Sequence, residues 1–469
     1  MDRLKEELLG ILTACGQEHL LRFWDRLDAR QRESLAAQIR AVDFAQIDRL
    51  YRQPDAGPQT AALAARAAPP PSFRLGDAGN SIPADTARQR GMEALGAGQV
   101  GAMLVAGGQG TRLEFHHPKG MFPIGPVSGN SLFQIHFEKL IAVARRYGVR
   151  VPLYLMTSLE THDQTVEYLD RKHRFGLPAE DLCVFCQGTM PAVDAASGKI
   201  LLAGPDRLAL GGDGHGGMLA AFHSSGAMAD ARRRGVRHLF YFQVDNPLVR
   251  VCDPEFLGYH LLSVSELTTQ VVRKKDPMDK VGNVFQADGR LRVIEYSEFK
   301  DLAPEIRSKR AADGSPVFWA GSIAVHAFDL AMLARVAGEA DAMPFHPALK
   351  KVACLDESGR PVEPQQPNAM KFERFIFDLM PLAERAIVVE VDPQRHFAPL
   401  KNASGNAQDT PEIVKAQMAA LHRQWLRGAG FEVADDVPVE IGPLFALDAE
   451  ELATRILAKK PITEPTYFG

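Results

Sequence analysis

The sequence predicts an α/β fold built on a largely parallel sheet. Two observations carry this. Short apolar runs recur along the chain and each stops at glycine or polar residues, as buried strands do. Between them lie stretches whose apolar residues repeat at helical spacing, and that alternation implies a parallel sheet covered on both faces. With 469 residues, 46% hydrophobic and 24% charged, the chain has the balance of a globular protein of about three domains.

Element by element, Leu4, Leu8, Leu9, Ile11 and Leu12, then Leu20, Leu21, Phe23, Trp24 and Leu27, predict helices in the first fifty residues. Pro54 to Pro83, alanine-rich and containing Pro69-Pro70-Pro71, reads as a connector. Asp85 is placed to cap a short helix ending near Gly96. Strands are expected at Val100 to Ala106, Val151 to Thr157, Leu182 to Cys186 and His238 to Val244. Helices are expected at Ser131 to Tyr147, Glu160 to Lys172 and Met218 to Arg234. Residues 269–325 read as shorter strands with hairpin turns, and a helix near 411–427 opens a small tail module. No internal repeat is visible.

Charge and cysteine content remove some classes. Lys plus Arg is 54 and Asp plus Glu is 58, a formal net charge of −4, which argues against a nucleic-acid binder driven by bulk charge. Met1-Asp2-Arg3-Leu4-Lys5 lacks the apolar core of a signal peptide. No apolar run reaches the ~20 residues that span a bilayer. Five cysteines do not form a disulfide framework, so the expectation is a cytoplasmic protein without a membrane partner. Cys183 and Cys186 have metal or redox spacing but sit in an apolar run with no second pair nearby, and are read as buried thiols in a strand. Each of the 14 histidines is given a surface or packing role.

Two glycine-rich loops and one acid carry the chemistry. After the first expected strand comes Ala106-Gly107-Gly108-Gln109-Gly110-Thr111-Arg112-Leu113. Glycines let backbone amides approach a ligand, and such a loop after a strand cradles phosphate. Pro118-Lys119-Gly120 follows, so two cations flank the loop; a tight turn with two solvated cations is the plainer alternative. The second loop, Gly211-Gly212-Asp213-Gly214-His215-Gly216-Gly217, contains G-x-G-x-x-G and imitates a dinucleotide fingerprint. No clear strand precedes it, however, and Asp245 lies 28 residues beyond Gly217 where about 20 is expected. Asp245 itself ends an apolar strand, where open sheets bind ligands, and its carboxylate suits magnesium. Taken alone, it reads more simply as a strand-end aspartate capping the next helix.

Taken in order, these residues resemble a known signature. Leu104 to Leu113 with Pro118-Lys119-Gly120-Met121 is similar to that of UDP-N-acetylhexosamine pyrophosphorylases, within the UTP-dependent sugar-1-phosphate uridylyltransferase family. The resemblance runs on through Met156-Thr157-Ser158, Gln187-Gly188, Gly212 to Gly217, Val244-Asp245-Asn246 and Val281-Gly282. It continues in Val293 to Glu298, Phe318 to His326, Lys371 to Asp378 and Pro399-Leu400-Lys401-Asn402, covering about residues 100–427.

The resemblance implies a glycosyltransferase A-like nucleotide-binding domain at 96–398, with a helical N-terminal module and linker at 1–95 and a small α+β module at 399–469. It implies that UTP and a hexose 1-phosphate, N-acetylglucosamine 1-phosphate first, give a UDP-sugar and pyrophosphate with Mg2+. Gly107, Gly108 and Gly110 would lie over the nucleotide, and Arg112 and Lys119 against its β- and γ-phosphates. Gln187 would read uracil while the Gly214 backbone closes on the base. Asp245 would bind the metal, and Gly282 and Glu295 would meet the sugar. Lys401 would approach the reacting phosphate.

Three positions depart from the pattern. Glu114 follows Leu113 where glycine is usual, and its side chain is expected to turn away from the triphosphate. His215 and Ser322 stand where the family has asparagines of the sugar pocket, which brings glucose 1-phosphate or a broad sugar range into view. Two other classes remain for test: an NAD-dependent oxidoreductase, resting on Gly212 to Gly217, and a non-catalytic nucleotide-sugar sensor, against which Arg112, Lys119, Asp245 and Lys401 speak. The pattern fixes no oligomeric state.

Overall fold

The computed structural model describes residues 3–52, 57–339, 342–455 and 460–469. They form two compact units that alternate along the chain. One is Met1–Ala56, Gln187–Ala220 and Asp341–Ile376; the other is Gly57–Cys186, Ala221–Ala340 and Phe377–Gly469. These are units of packing, whereas 1–95, 96–398 and 399–469 are units of sequence order.

The larger unit is organised by a ten-stranded sheet. All six residues of Val100–Val105 are buried, which requires cover on both faces and explains the run without polar alternation. This strand pairs in parallel with Leu153–Thr157 and with His238–Gln243, and Leu153–Thr157 pairs in parallel with Leu182–Cys186. On the far side Ala320–Asp329 runs antiparallel to both His238–Gln243 and Leu267–Arg273. Ala386–Glu390 and Ser72–Phe73 then continue the sheet in parallel. The hairpin Gly282–Ala287 with Arg290–Ile294 hangs from Ala320–Asp329. Its turn is Asp288-Gly289, both at positive φ, the two-residue hairpin signature. The helix Leu132–Tyr147, capped by Ser131 and closed by left-handed Gly148, packs Phe133, Phe137 and Leu140 into the core.

In the smaller unit the N-terminal helices form their own core. Leu8, Leu12, Trp24, Leu35 and Ile39 pack with Val193, Ile200, Leu202 and Phe372. Asp28 and Gln31 make a reciprocal capping box at the start of Ala29–Ala41. A three-stranded antiparallel sheet joins His346–Lys350, Ala369–Glu373 and Val193–Asp194.

Four expectations needed adjustment. The connector 54–83 contains a helix, Gly57–Ala65, and the edge strand Ser72–Phe73, while residues 53–56 lie outside the described residues. The helix Ala84–Gly96 takes Pro83 as its N-cap, with Asp85 in its first turn. Met218 to Arg234 is two helices, Met218–Ser224 and Ala227–Arg233, separated at Gly226 with φ +82°. Cys183 and Cys186 are half-buried rather than buried, because Leu182–Cys186 ends the sheet. None of the five cysteines is in a disulfide.

Candidate active site

In the larger unit the first glycine loop leaves the buried end of Val100–Val105. It is pinned by Gly110 N–H to His117 O at 2.9 Å and Lys119 N–H to Gly108 O at 3.0 Å. The glycines have different causes. A Cβ on Gly110 would stand 2.6 Å from Phe115 O, so protein packing demands glycine there. At Gly108 a Cβ would meet nothing within 4 Å and the residue is exposed. The space over it is open to a ligand. Thr111–Leu113 forms one helical turn, ended by Glu114 in the left-handed conformation at φ +56°. Arg112, on that turn, is exposed and makes no ion pair among the described residues.

Lys119, Asp245 and Lys401 meet at one segment. Lys119 Nζ lies 3.4 Å from Leu400 O and 3.8 Å from Asp245 Oδ2, with both side chains mostly buried. Leu400 N–H donates to Asp245 O at 2.8 Å, and Lys401 N–H donates to Asp409 O at 2.9 Å. The Lys119 ammonium and the Asp245 carboxylate therefore meet beside the Leu400–Lys401 backbone, at the carboxyl ends of Val100–Val105 and His238–Gln243. Asp409 is the participant that sequence reasoning missed. Its carbonyl also accepts Asn402 N–H at 3.0 Å, and burial pushes its carboxyl up, against the pull of Lys401. The signal was present: Thr410-Pro411 is an N-cap and N1 pair, and reading that helix start would have drawn attention to the residue before it.

A second group lies on the hairpin. Gly282 pairs with Ser322 across the antiparallel ladder. A Cβ on Gly282 would stand 2.9 Å from Val293, 3.4 Å from Glu295 Oε1 and 3.7 Å from Ser322 Cβ. Gly282, Glu295 and Ser322, which the family resemblance assigns to the sugar, thus share one spot.

In the smaller unit Gln187, Gly214 and His215 belong to one knot of backbone. A Cβ on Gly212 would fall 1.6 Å from Gln187 Nε2, so the Gln187 amide lies across the Gly212 backbone. Gly214 has φ +85° and its Cβ would clash with Arg374 O at 2.3 Å; only glycine fits. Arg374 N–H donates to Asp213 O at 2.7 Å, and Gly216 N–H to Arg374 O at 2.9 Å. Half-buried His215 accepts Ile376 N–H on Nδ1 at 3.1 Å, which puts its proton on Nε2. Burial pulls its imidazole down to about 4, so it is neutral near pH 7. Burial likewise pushes the Asp213 carboxyl up to about 6, against the pull of Arg374.

The sequence pattern of the UTP–glucose-1-phosphate uridylyltransferase family matches residues 74–424. This chain belongs to that family. Among relatives of this uridylyltransferase family member, human UDP-N-acetylhexosamine pyrophosphorylase-like protein 1 is 36% identical over 92% of the chain and 87% of its own length. The UDP-N-acetylglucosamine pyrophosphorylase of Saccharomyces cerevisiae is 34% identical over 94% and 95%. The solved UDP-N-acetylglucosamine pyrophosphorylase of Trypanosoma brucei superposes with a TM-score of 0.81, at 25% identity over 97% of this chain and 95% of that one. Within the family member, Gly212 to Gly217 follow a short strand, Leu210–Gly212, paired antiparallel to Thr189–Pro191. A dinucleotide fingerprint instead opens a βαβ unit of a parallel sheet, so the oxidoreductase alternative loses its structural context.

Proposed function

We propose that this protein makes UDP-N-acetylglucosamine and pyrophosphate from UTP and N-acetylglucosamine 1-phosphate. The observation that carries the reading is the meeting of Lys119, Asp245 and Lys401 around Leu400, supported by the names of the relatives. No side-chain nucleophile is required. A phosphate oxygen of the sugar phosphate attacks the α-phosphorus of UTP, and the bond from that phosphorus to the β-phosphate bridging oxygen breaks as pyrophosphate leaves. The protein must hold two polyanions in line and spread the growing charge. Arg112 and Lys119 stabilise the departing pyrophosphate, and Lys401 the transferring phosphoryl group. Gly107, Gly108 and Gly110 present backbone to the nucleotide. Gln187 matches uracil with one donor and one acceptor, and Gly214 lets the backbone close on the base.

The donor chemistry here fits Mg2+, which takes one or two carboxylates and completes its shell with phosphate oxygens and water. Asp245 would hold it, with the Asp409 carbonyl taking the Lys401 N–H. Bound there, the ion supplies charge neutralisation between the two substrates. In the larger unit Gly282, Glu295 and Ser322 are assigned to the sugar, and in the smaller unit His215 is assigned the same task. One observation favours a second reading. Ser322 is shorter than asparagine, and the Nδ1 of His215 is already occupied by Ile376 N–H, so a broader choice that includes glucose 1-phosphate follows. The thiol state of the cysteines supports a cytoplasmic site. No helix among the described residues is long and apolar enough to cross a membrane.

The test is pyrophosphate release with Mg2+ across UTP, CTP, ATP and GTP, and across N-acetylglucosamine, N-acetylgalactosamine and glucose 1-phosphates. UTP with N-acetylglucosamine 1-phosphate should lead. Equal use of ATP would remove Gln187 from base selection, and no release with any sugar would end the proposal.

A further inference from the structure

Behind the Asp245 and Lys401 cluster, wholly within the larger unit, lies a cavity of about 450 Å³, the size of a small-molecule pocket. Its walls come from the helix Leu132–Tyr147, the 247–256 loop after Asp245, the 389–396 segment before Lys401, the helix Pro411–Gly428 and the 440–450 stretch. Apolar surface dominates, with Leu248, Val391, Met418, Leu421, Trp425 and Ile441 among the lining residues.

The charges around it are nearly all matched. Asp253 faces Arg250 at 3.5 Å and His396 at 3.8 Å. Asp448 pairs with Arg146 at 2.6 Å, Glu450 with Arg88 at 3.0 Å and Asp392 with Arg395 at 3.7 Å. Glu390 holds Arg74 and Arg273, Glu440 takes the Val127 and Ser128 amides, and Glu255 feels Arg250 and Arg88. Lys139 is the exception. Its ammonium donates to the carbonyls of Pro247 and Val249, leaving one of its three protons without a described acceptor, and no carboxylate lies within ion-pair reach among the described residues. Lys139 is half-buried, and desolvation, helped by Arg250, pulls its ammonium down to about 7; an anion in the cavity would hold it in the charged form.

The same turn leads to the reacting groups. Asn246, buried next to Asp245, donates from Nδ2 to His396 O at 2.7 Å and accepts on Oδ1 from Leu248 N–H at 3.2 Å and Ala398 N–H at 3.0 Å. It therefore staples the 246–248 turn to the 396–398 segment, and Leu400 is tied in turn to Asp245 O. Lys139, Leu248 and His396 are thus joined by hydrogen bonds to the backbone that carries Asp245 and Leu400.

We propose that this cavity is a second small-molecule site, for an amphipathic anion whose acidic head pairs with Lys139 and whose apolar body lies against Leu248, Met418 and Trp425. Its occupancy is coupled to turnover through the Lys139–Pro247 and Asn246–His396 contacts. Such coupling is a difference in ligand affinity between two arrangements of this turn.

The test uses the full-length protein and 8-anilinonaphthalene-1-sulfonate as the anionic amphipathic probe, with saturating UTP and Mg2+ present. Expected is a saturable fluorescence gain that UTP does not displace. Binding should weaken at least about tenfold in Lys139→Met, as loss of a charge-assisted contact predicts. It should weaken likewise in Ala449→Trp, which blocks the cavity mouth from the exposed first turn of Ala449–Arg455 and keeps basal turnover. Probe occupancy should change kcat more than about twofold in the wild type and not in Ala449→Trp. Should Lys139→Met fail to fold, Ala449→Trp decides alone. Displacement by UTP, undiminished binding in folded Ala449→Trp, or a kcat indifferent to saturating probe would each overturn the proposal. The binding arm does not depend on which sugar the enzyme uses.

Discussion

In the proposed mechanism Lys119 and Lys401 bring charge to a place where it grows only in the transition state, so their loss should fall on kcat. Replacing either by Ala, or Arg112 by Ala, should lower turnover by at least ~100-fold, the scale for one preorganised charge stabiliser. Asp245→Ala should abolish the response of the residual rate to Mg2+. Near-normal steady-state rates in all four folded variants would refute the assignment. His215 and Ser322 set the second residue-scale expectation. Restoring both to Asn should move the ratio of kcat/KM values several-fold toward N-acetylglucosamine 1-phosphate over glucose 1-phosphate, since one hydrogen bond is worth about 0.5–1.5 kcal/mol. An unchanged ratio would show that neither position reads the sugar.

Asp213 gives a pH dependence of known sign. Its carboxyl is held near 6 in the folded protein, burial being the main cause, against ~3.9 in an unfolded chain. The fold therefore favours the protonated form. Wild type and Asp213→Asn should be about equally stable below pH 4. From pH 4 to 6 the wild type should lose on the order of 2–3 kcal/mol relative to the variant, then stay level. Denaturant midpoints at pH 4 and 7.5 check this; a variant that gains nothing at pH 7.5 contradicts it. Asp213 also shows where single-residue reading stops. The loop and strand-end positions of the glycines, Lys119 and Asp245 were legible because they follow from local sequence. The role of Asp213 depends on Arg374, and that of Asp409 on Lys401 and Asp245, partners the sequence does not pair.

At the scale of elements, the helices Ala84–Gly96 and Pro254–Leu262 cross at bare backbone. A Cβ on Gly258 would stand 1.6 Å from Ala87 O, and one on Gly91 only 1.8 Å from Pro254 O. Gly258→Ala should force the helices apart at a cost of about 1–3 kcal/mol, despite the better helix propensity of alanine. Thermal melting reads the result, and an unchanged or raised Tm would contradict it. Periodicity made most elements readable. Val100–Val105, Leu153–Thr157 and Leu182–Cys186 stand where apolar runs predict buried strands. What escaped depends on neighbours. Ser72–Phe73 is a strand because Ala386–Glu390 offers it a parallel edge, not because two residues in a proline-rich stretch demand one. The break at Gly226 needed a backbone angle, φ +82°, that a helical pattern of side chains cannot display.

At the scale of the whole molecule, the interleaving of two packing units was the least legible feature. The N-terminal helices share a core with Val193, Ile200 and Phe372, residues that sequence order assigns elsewhere. Each unit nonetheless carries a coherent group of the proposed site residues: Lys119, Asp245 and Lys401 in one, Gln187, Gly214 and His215 in the other. The account stands on uridylyl transfer by that machinery. Its most direct test is to incubate the protein with UTP labelled at the α-phosphorus, N-acetylglucosamine 1-phosphate and Mg2+, and to separate the products. The account predicts that the label enters UDP-N-acetylglucosamine while the pyrophosphate released carries none. Label recovered only as UMP, or left in unreacted UTP, would contradict it.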